Sequence, residues 1–208
     1  VWIADNVTIE NAIAGHGNDV LIGNDGSNIL DGDSGIDTVL VQAPRDHYTL
    51  TKTSNGHTVN ANAHPGNQDT LTRIERLEFD DIKLALDLDG SAGEVAKLLG
   101  AVFGASAPSN QNYVGIGLAE ADKGRSYEQL GELAIHATGL TNHDKIVTLL
   151  WQNLFGAAPS ETQKSPYVRM LDTGEISTGG LAVLAADTGL NAENIHLTGL
   201  VQTGVAFV

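Results

Sequence analysis

The chain has 208 residues, 41% of them hydrophobic, and no cysteine. That suffices for one large domain or two small ones with real cores, and it excludes a disordered tail and a disulfide scaffold. A formal net charge of -15 repels nucleic acid and anionic membranes and suits divalent cations, so no nucleic-acid partner is expected. Membrane insertion is not expected either, because no apolar run is long enough to span a bilayer. Val1-Trp2-Ile3-Ala4-Asp5 lacks the basic region and apolar stretch of a signal peptide, and the sequence reads as a piece of a longer protein.

The first strong pattern runs from Ala14 to Leu40. It reads AGHGNDVLI, GNDGSNILD and GDSGIDTVL, three tandem nine-residue units close to G-G-x-G-x-D-x-U-x, with U a large aliphatic. Glycines permit turns that a Cβ would forbid and let carbonyls converge on an ion. Calcium takes six to eight oxygens, carboxylates and carbonyls among them. Leu21, Leu30 and Val39 occupy the U position and should point inward. Each unit is then a turn plus a short strand, and two units make one coil of a flattened roll. Equivalent turns recur every 18 residues, as Asp19 and Asp37 do, and these two should face one calcium from successive coils. Asn28 falls on the opposite edge, with Glu10 one coil before and Asp46 one coil after.

This period resembles the calcium-binding repeat of RTX proteins. The stretch Ile3 to Ile13, IADNVTIENAI, followed by the repeats, resembles the entry to the C-terminal β-roll of serralysin-type metalloproteases. The resemblance covers about the first 40 residues. It implies that the Thr8 carbonyl and Glu10 face Gly23, Asp25 and Asn28. It also implies that Gly15, Gly17 and Asp19 face Gly32, Ser34 and Asp37. About two calcium ions (Ca2+) are thereby expected. The sequence departs from the family pattern at Ala14 and Asp33, and neither change removes a carbonyl. None of the seven histidines fits H-E-x-x-H, and no nucleophile elbow, P-loop or dinucleotide fingerprint occurs. No catalytic residues are assigned. His57 and His64 are read as surface residues.

From Asp46 onward the pattern alternates. Asn55-Gly56 between β-rich runs predicts a hairpin, and further strands are expected at Thr70-Leu71, Ile74–Phe79 and Ile82–Leu86. Asp69 to Phe79, DTLTRIERLEF, resembles the segment that caps RTX rolls. Beyond Asp87 the period becomes helical. Helix starts are predicted at Asp89-Gly90-Ser91, at Ser126 with Gln129, at Thr141 with Asp144, and at Ser165-Pro166. Leu98–Ser109 recurs as Leu149–Ser160, and Leu130, Leu133 and Ala134 recur as Leu181, Leu184 and Ala185, at a period of about 51 residues. The stripe Ile146, Leu149, Leu150 and Leu154 reads as core, with Trp151 and Phe155. The region is similar to a helical domain of unknown function that follows RTX repeats. It keeps the Phe and Pro of that family's core and lacks its Arg and Trp. The apolar end, Thr203 to Val208, resembles a type I secretion signal or forms a last strand or helix turn buried in the domain.

The expected fold class is α+β, a parallel β-roll with a β-rich cap followed by an all-helical tandem-repeat domain. The expected divisions are residues 1–45, 46–88 and 89–208. The expected function is that of a non-catalytic calcium-binding C-terminal module of a secreted, extracellular protein, with cell-surface association as a variant. Its expected partners are the type I secretion machinery and an upstream domain of the parent. The alternatives are the tail of a serralysin-like metalloprotease or other hydrolase, and an adhesin or surface-layer module.

Overall fold

The computed structural model describes residues 9–64 and 66–208. The chain divides into two compact units, one running to Asp87 and taking in Val201–Gly204, the other comprising Leu88–Leu200 and Val205–Val208. The architecture is α+β.

In the first unit, short strands alternate between two sheets. β1 (Asn11–Ile13), β3 (Ile29–Asp31) and β7 (Gln68–Thr72) lie parallel in one sheet. β2 (Val20–Ile22), β4 (Thr38–Val41) and β8 (Arg76–Phe79) lie parallel in the other. The repeat sets this register: Ala12 pairs with Leu30, and Leu21 with Val39, each 18 residues on. Leu30, Val39, Leu71 and Leu77 are all 3% exposed or less, and Leu21 is 8%. The U positions therefore form the inner face, as the period requires. Each such side chain contributes about 1.5–3 kcal/mol by leaving water. Ile74 and Phe79 join this core.

The sheets are mixed rather than wholly parallel. After β4 the chain leaves the repeat to form the antiparallel hairpin β5 (Tyr48–Thr53) and β6 (Gly56–Ala61), and β7 then pairs antiparallel with β6. β9 (Lys83–Ala85) likewise runs antiparallel to β8. The hairpin loop is Ser54-Asn55, closed by the pair Thr53–Gly56, one residue earlier than the Asn-Gly pattern suggests. His57 is buried at 3% exposure, contrary to its reading as a surface residue, because it shares the inward face of β6 with Val59. His64 is exposed.

The second unit contains α1 (Ser91–Phe103), α2 (Gln111–Asp122), α3 (Tyr127–Ala137), α4 (His143–Phe155), α5 (Glu161–Thr173), α6 (Thr178–Ala186) and α7 (Gly189–Asn194). α1 is its centre, packed against α2, α3, α4 and α6. Asn153 on α4 donates to the Ala101 and Val102 carbonyls at 3.0 and 2.8 Å, satisfying acceptors that the end of α1 leaves open. Ser126 and Gln129 form the expected capping box. The α4 cap is Asn142, which accepts from the Lys145 N–H, rather than Thr141. α5 starts five residues before Pro166, because Ser160 and Gln163 make a capping box there. Trp151 and Phe155 stack at 4.4 Å, but Phe155 is 53% exposed and so is not core. At the end of the chain Val205 is buried, and the Val208 carbonyl lies over Gly115 of α2, where a Cβ would stand 2.3 Å from it.

Leu77→Ala should destabilise the first unit by about 2–5 kcal/mol in denaturant unfolding followed by β-sheet circular dichroism. Ile13→Ala, at a site 76% exposed, should cost less than about 0.5 kcal/mol. Equal losses would contradict the inward register.

Candidate metal centre

The glycine-rich turns gather at the two edges of the paired sheets. On one edge, Ala14–Asp19 joins β1 to β2 and Gly32–Asp37 joins β3 to β4. The two turns are bonded in register. Gly17 N–H donates to the Ser34 carbonyl at 2.8 Å, and Ile36 N–H donates to Asn18 Oδ1 at 3.0 Å. Asp19 N–H donates to Asp37 Oδ1 at 2.8 Å, while Gly15 N–H donates to Asp19 Oδ2 at 3.1 Å. Gly15, Gly17, Asp19, Gly32, Ser34 and Asp37 are thus brought together.

Asp37 is the distinctive member. Its side chain is fully buried, and Oδ2 accepts no hydrogen bond among the described residues. A buried acceptor without a donor is destabilising by about 1–3 kcal/mol, and more if it is charged. Burial pushes the Asp37 carboxyl above its ordinary value; the Asp19 N–H opposes this, and the nearby Asp19, Asp33 and Asp31 charges add to it. The backbone leaves space around it only because glycine is present. A Cβ on Gly32 would stand 2.4 Å from Asp37 Oδ2, and one on Gly35, at φ 141°, would stand 1.9 Å from the Gly17 carbonyl. An unsatisfied anionic oxygen inside a Gly-lined turn fits a hard cation. Among the described residues no three His, Cys, Asp or Glu side chains gather at one point. A cation at this turn therefore relies on backbone carbonyls as well as carboxylate.

The other edge is different. Gly23–Asn28 joins β2 to β3. Asn28 is buried, but its carboxamide is satisfied within its own turn. Oδ1 accepts from Asn24 N–H at 2.9 Å, and Nδ2 donates to Asn24 Oδ1 at 3.2 Å. Asp25 and Glu10 are exposed. The Glu10 carbonyl accepts from Ile29 N–H at 2.8 Å, which keeps Glu10 in register with Asn28. Thr8 lies outside the described residues.

Two residues that the sequence reading did not assign complete the columns. Asn28 N–H donates to Asp69 Oδ1 at 2.9 Å across 41 residues, and Asp37 N–H donates to Glu75 Oε2 at 2.8 Å across 38. Asp69 therefore holds the place expected of Asp46, whose side chain is 84% exposed beside His47. The inserted hairpin breaks the 18-residue spacing, so counting onward from Asn28 stops short. The readable signal was Asp69-Thr70-Leu71, which repeats Asp37-Thr38-Val39. Burial raises the pKa of both new carboxyls, against the opposing N–H bonds from Asn28 and Asp37; for Glu75 the Asp37 and Asp87 charges add to the rise.

Residues 1–99 match the family model described as Peptidase M10 serralysin C terminal. The match spans the repeats, the inserted hairpin and most of α1. No curated protein matches the chain.

In chelator, acidification from neutral pH towards the ordinary carboxyl values should raise the melting temperature of the first unit. Asp37, Asp69 and Glu75 have folded-state values above the ordinary 3.8 and 4.5, so folding takes up protons. Their stabilising contribution is complete below those ordinary values and is lost as pH rises through the raised ones. A melting temperature that falls over this range would contradict the assignment.

Proposed function

We propose that this chain is a non-catalytic, calcium-binding C-terminal module of a protein exported by type I secretion, folding around calcium outside the cell. The observation that carries this reading is the buried Asp37 Oδ2, without a donor among the described residues, within a glycine turn that repeats at 18 residues. The match of residues 1–99 to the serralysin C-terminal family supports it. Gly15, Gly17, Asp19, Gly32, Ser34 and Asp37 would hold the ion; Thr8, Glu10, Gly23, Asp25 and Asn28 form the weaker candidate set. When bound, calcium supplies the positive charge that the stacked turns lack. Where calcium is scarce, the acidic turns Ala14–Asp19 and Gly32–Asp37 repel one another and stay open; where it is abundant, binding becomes folding free energy. At calcium one hundredfold above Kd this amounts to about 2.7 kcal/mol.

On this reading β1, β2, β3, β4, β7 and β8 make three coils of a parallel roll, and the cap narrows to β5, β6 and β9. The helical region is read as a tandem pair, α1–α3 and α4–α6. Two apolar clefts support this, since Leu99, Phe103, Leu130 and Leu133 line one, and Leu150, Leu154, Leu181 and Leu184 line the other. Those positions correspond at the sequence period of 51.

Calcium added to chelated protein should raise β-structure and melting temperature in the first unit. Asp37→Ala should weaken calcium affinity by at least tenfold in calorimetric titration, and Asn28→Ala by much less. Unchanged spectra and melting after chelation, or equal losses in the two variants, would overturn the reading.

The export part rests on the resemblance of the apolar segment Thr203–Val208 to a type I secretion signal. Removing Gly204–Val208 should abolish secretion through a matched type I transporter while calcium affinity is retained. Because Val205 is buried, a fall in the melting temperature of the helical unit is expected as well. Normal secretion of the truncated chain would remove the tail as signal.

A further inference from the structure

The turns stacked on the Asp37 edge are not equal. Ala14–Asp19 and Gly32–Asp37 each have six residues, whereas Arg73–Glu75, joining β7 to β8, has three. The short turn keeps its link to the coil before it, through Asp37 N–H to Glu75 Oε2 and Gly32 N–H to the Thr72 carbonyl at 3.1 Å. It has no glycine, so the carbonyl-presenting part of the longer turns is missing. What it carries instead is a cation. Arg73 Nη2 lies 2.7 Å from Asp31 Oδ2 and 3.6 Å from Asp33 Oδ1. Arg73 and Asp33 are both left-handed, at φ 49° and 65°, a conformation few non-glycine residues adopt unless their surroundings hold them there. Asp33 Oδ2 also faces His16 Nδ1 on the first turn at 3.6 Å.

We propose that Arg73 is a resident cation: its guanidinium neutralises Asp31 and Asp33 between the second and third turns, holding the third coil to the second without metal. The comparison with the first and second turns rests on the calcium reading above, in which an ion does that work there. The β unit then has a permanently closed part, β3, β4, β7 and β8, and a part that closes only with calcium, β1 and β2. Arginine suits the task because its charge persists at every pH the protein meets.

Two backbone amides report on the two junctions: Gly17 N–H bonds Ser34 between the first and second turns, and Gly32 N–H bonds Thr72 between the second and third. Amide exchange of the full chain in chelator should leave Gly32 protected and Gly17 open. Arg73→Gln should lower Gly32 protection in chelator at least tenfold, and Arg73→Lys should retain most of it. Asp31→Asn, which removes the partner and not the cation, should reproduce the loss and stands in if Arg73→Gln folds poorly. Simultaneous loss of Gly17 and Gly32 protection in the unaltered chain would overturn the proposal. So would unchanged Gly32 protection in Asp31→Asn, or equal loss in the Lys and Gln variants. Gly17 protection indifferent to chelator would instead remove the calcium reading, while the Arg73 comparison would still decide the clasp.

Discussion

The first unit depends on one recurring bond, in which an acidic side chain on one coil accepts the backbone N–H of the coil before it. Asp37 does this for Asp19, Glu75 for Asp37, and Asp69 for Asn28. The bond fixes the stacking register of turns whose glycines would otherwise leave them loose. It also aligns the carboxylates in columns, so the arrangement that secures the backbone accumulates acidic groups, most deeply at the buried Asp37. A hydrogen bond from an amide relieves part of their charge. The remainder must be met by protonation, by an arginine or by a metal ion.

How much was legible from sequence follows from what each pattern encodes. The aliphatic at the eighth place of each unit gave the inward face, and Leu21, Leu30 and Val39 are buried accordingly. The 18-residue spacing gave the strand pairing within the repeats to the residue. Counting could not cross the inserted hairpin, because nothing in a period announces where it resumes. Asp46 was therefore expected where Asp69 stands, and β7 and β8 were read as cap rather than as partners of β3 and β4. The orphaned oxygen of Asp37 and the self-satisfied Asn28 were equally invisible, since they depend on which donor faces which acceptor across coils and not on residue type.

In the helical unit the departures are local, and most fall at helix starts. Several residues near each helix start can cap it, and the choice falls to whichever side chain reaches the open N–H groups. Ser160 with Gln163 displaces the start suggested by Ser165-Pro166, and Asn142 displaces Thr141. Phe155 reads as core from its spacing, but it lies one residue round the helix from the buried Leu154, off the inward face, and is exposed. Leu150 and Leu154, one turn apart on the inward face, are buried as expected.

The hairpin between β4 and β7 gives the stack a direction. β7 pairs with β3 on one side and with β6 on the other, and β8 is flanked by β4 and β9. Parallel addition is therefore stopped at that side by strands running the opposite way. At the other end β1 and β2 keep the 18-residue pitch to β3 and β4, at which one coil is interchangeable with the next. Duplicating or deleting whole coils among the repeats leaves the antiparallel closure untouched, whereas a change of nine residues would exchange one edge for the other. Coil number can thus vary between sequences of this kind by even counts of the nine-residue unit, with the stop retained as a fixed end.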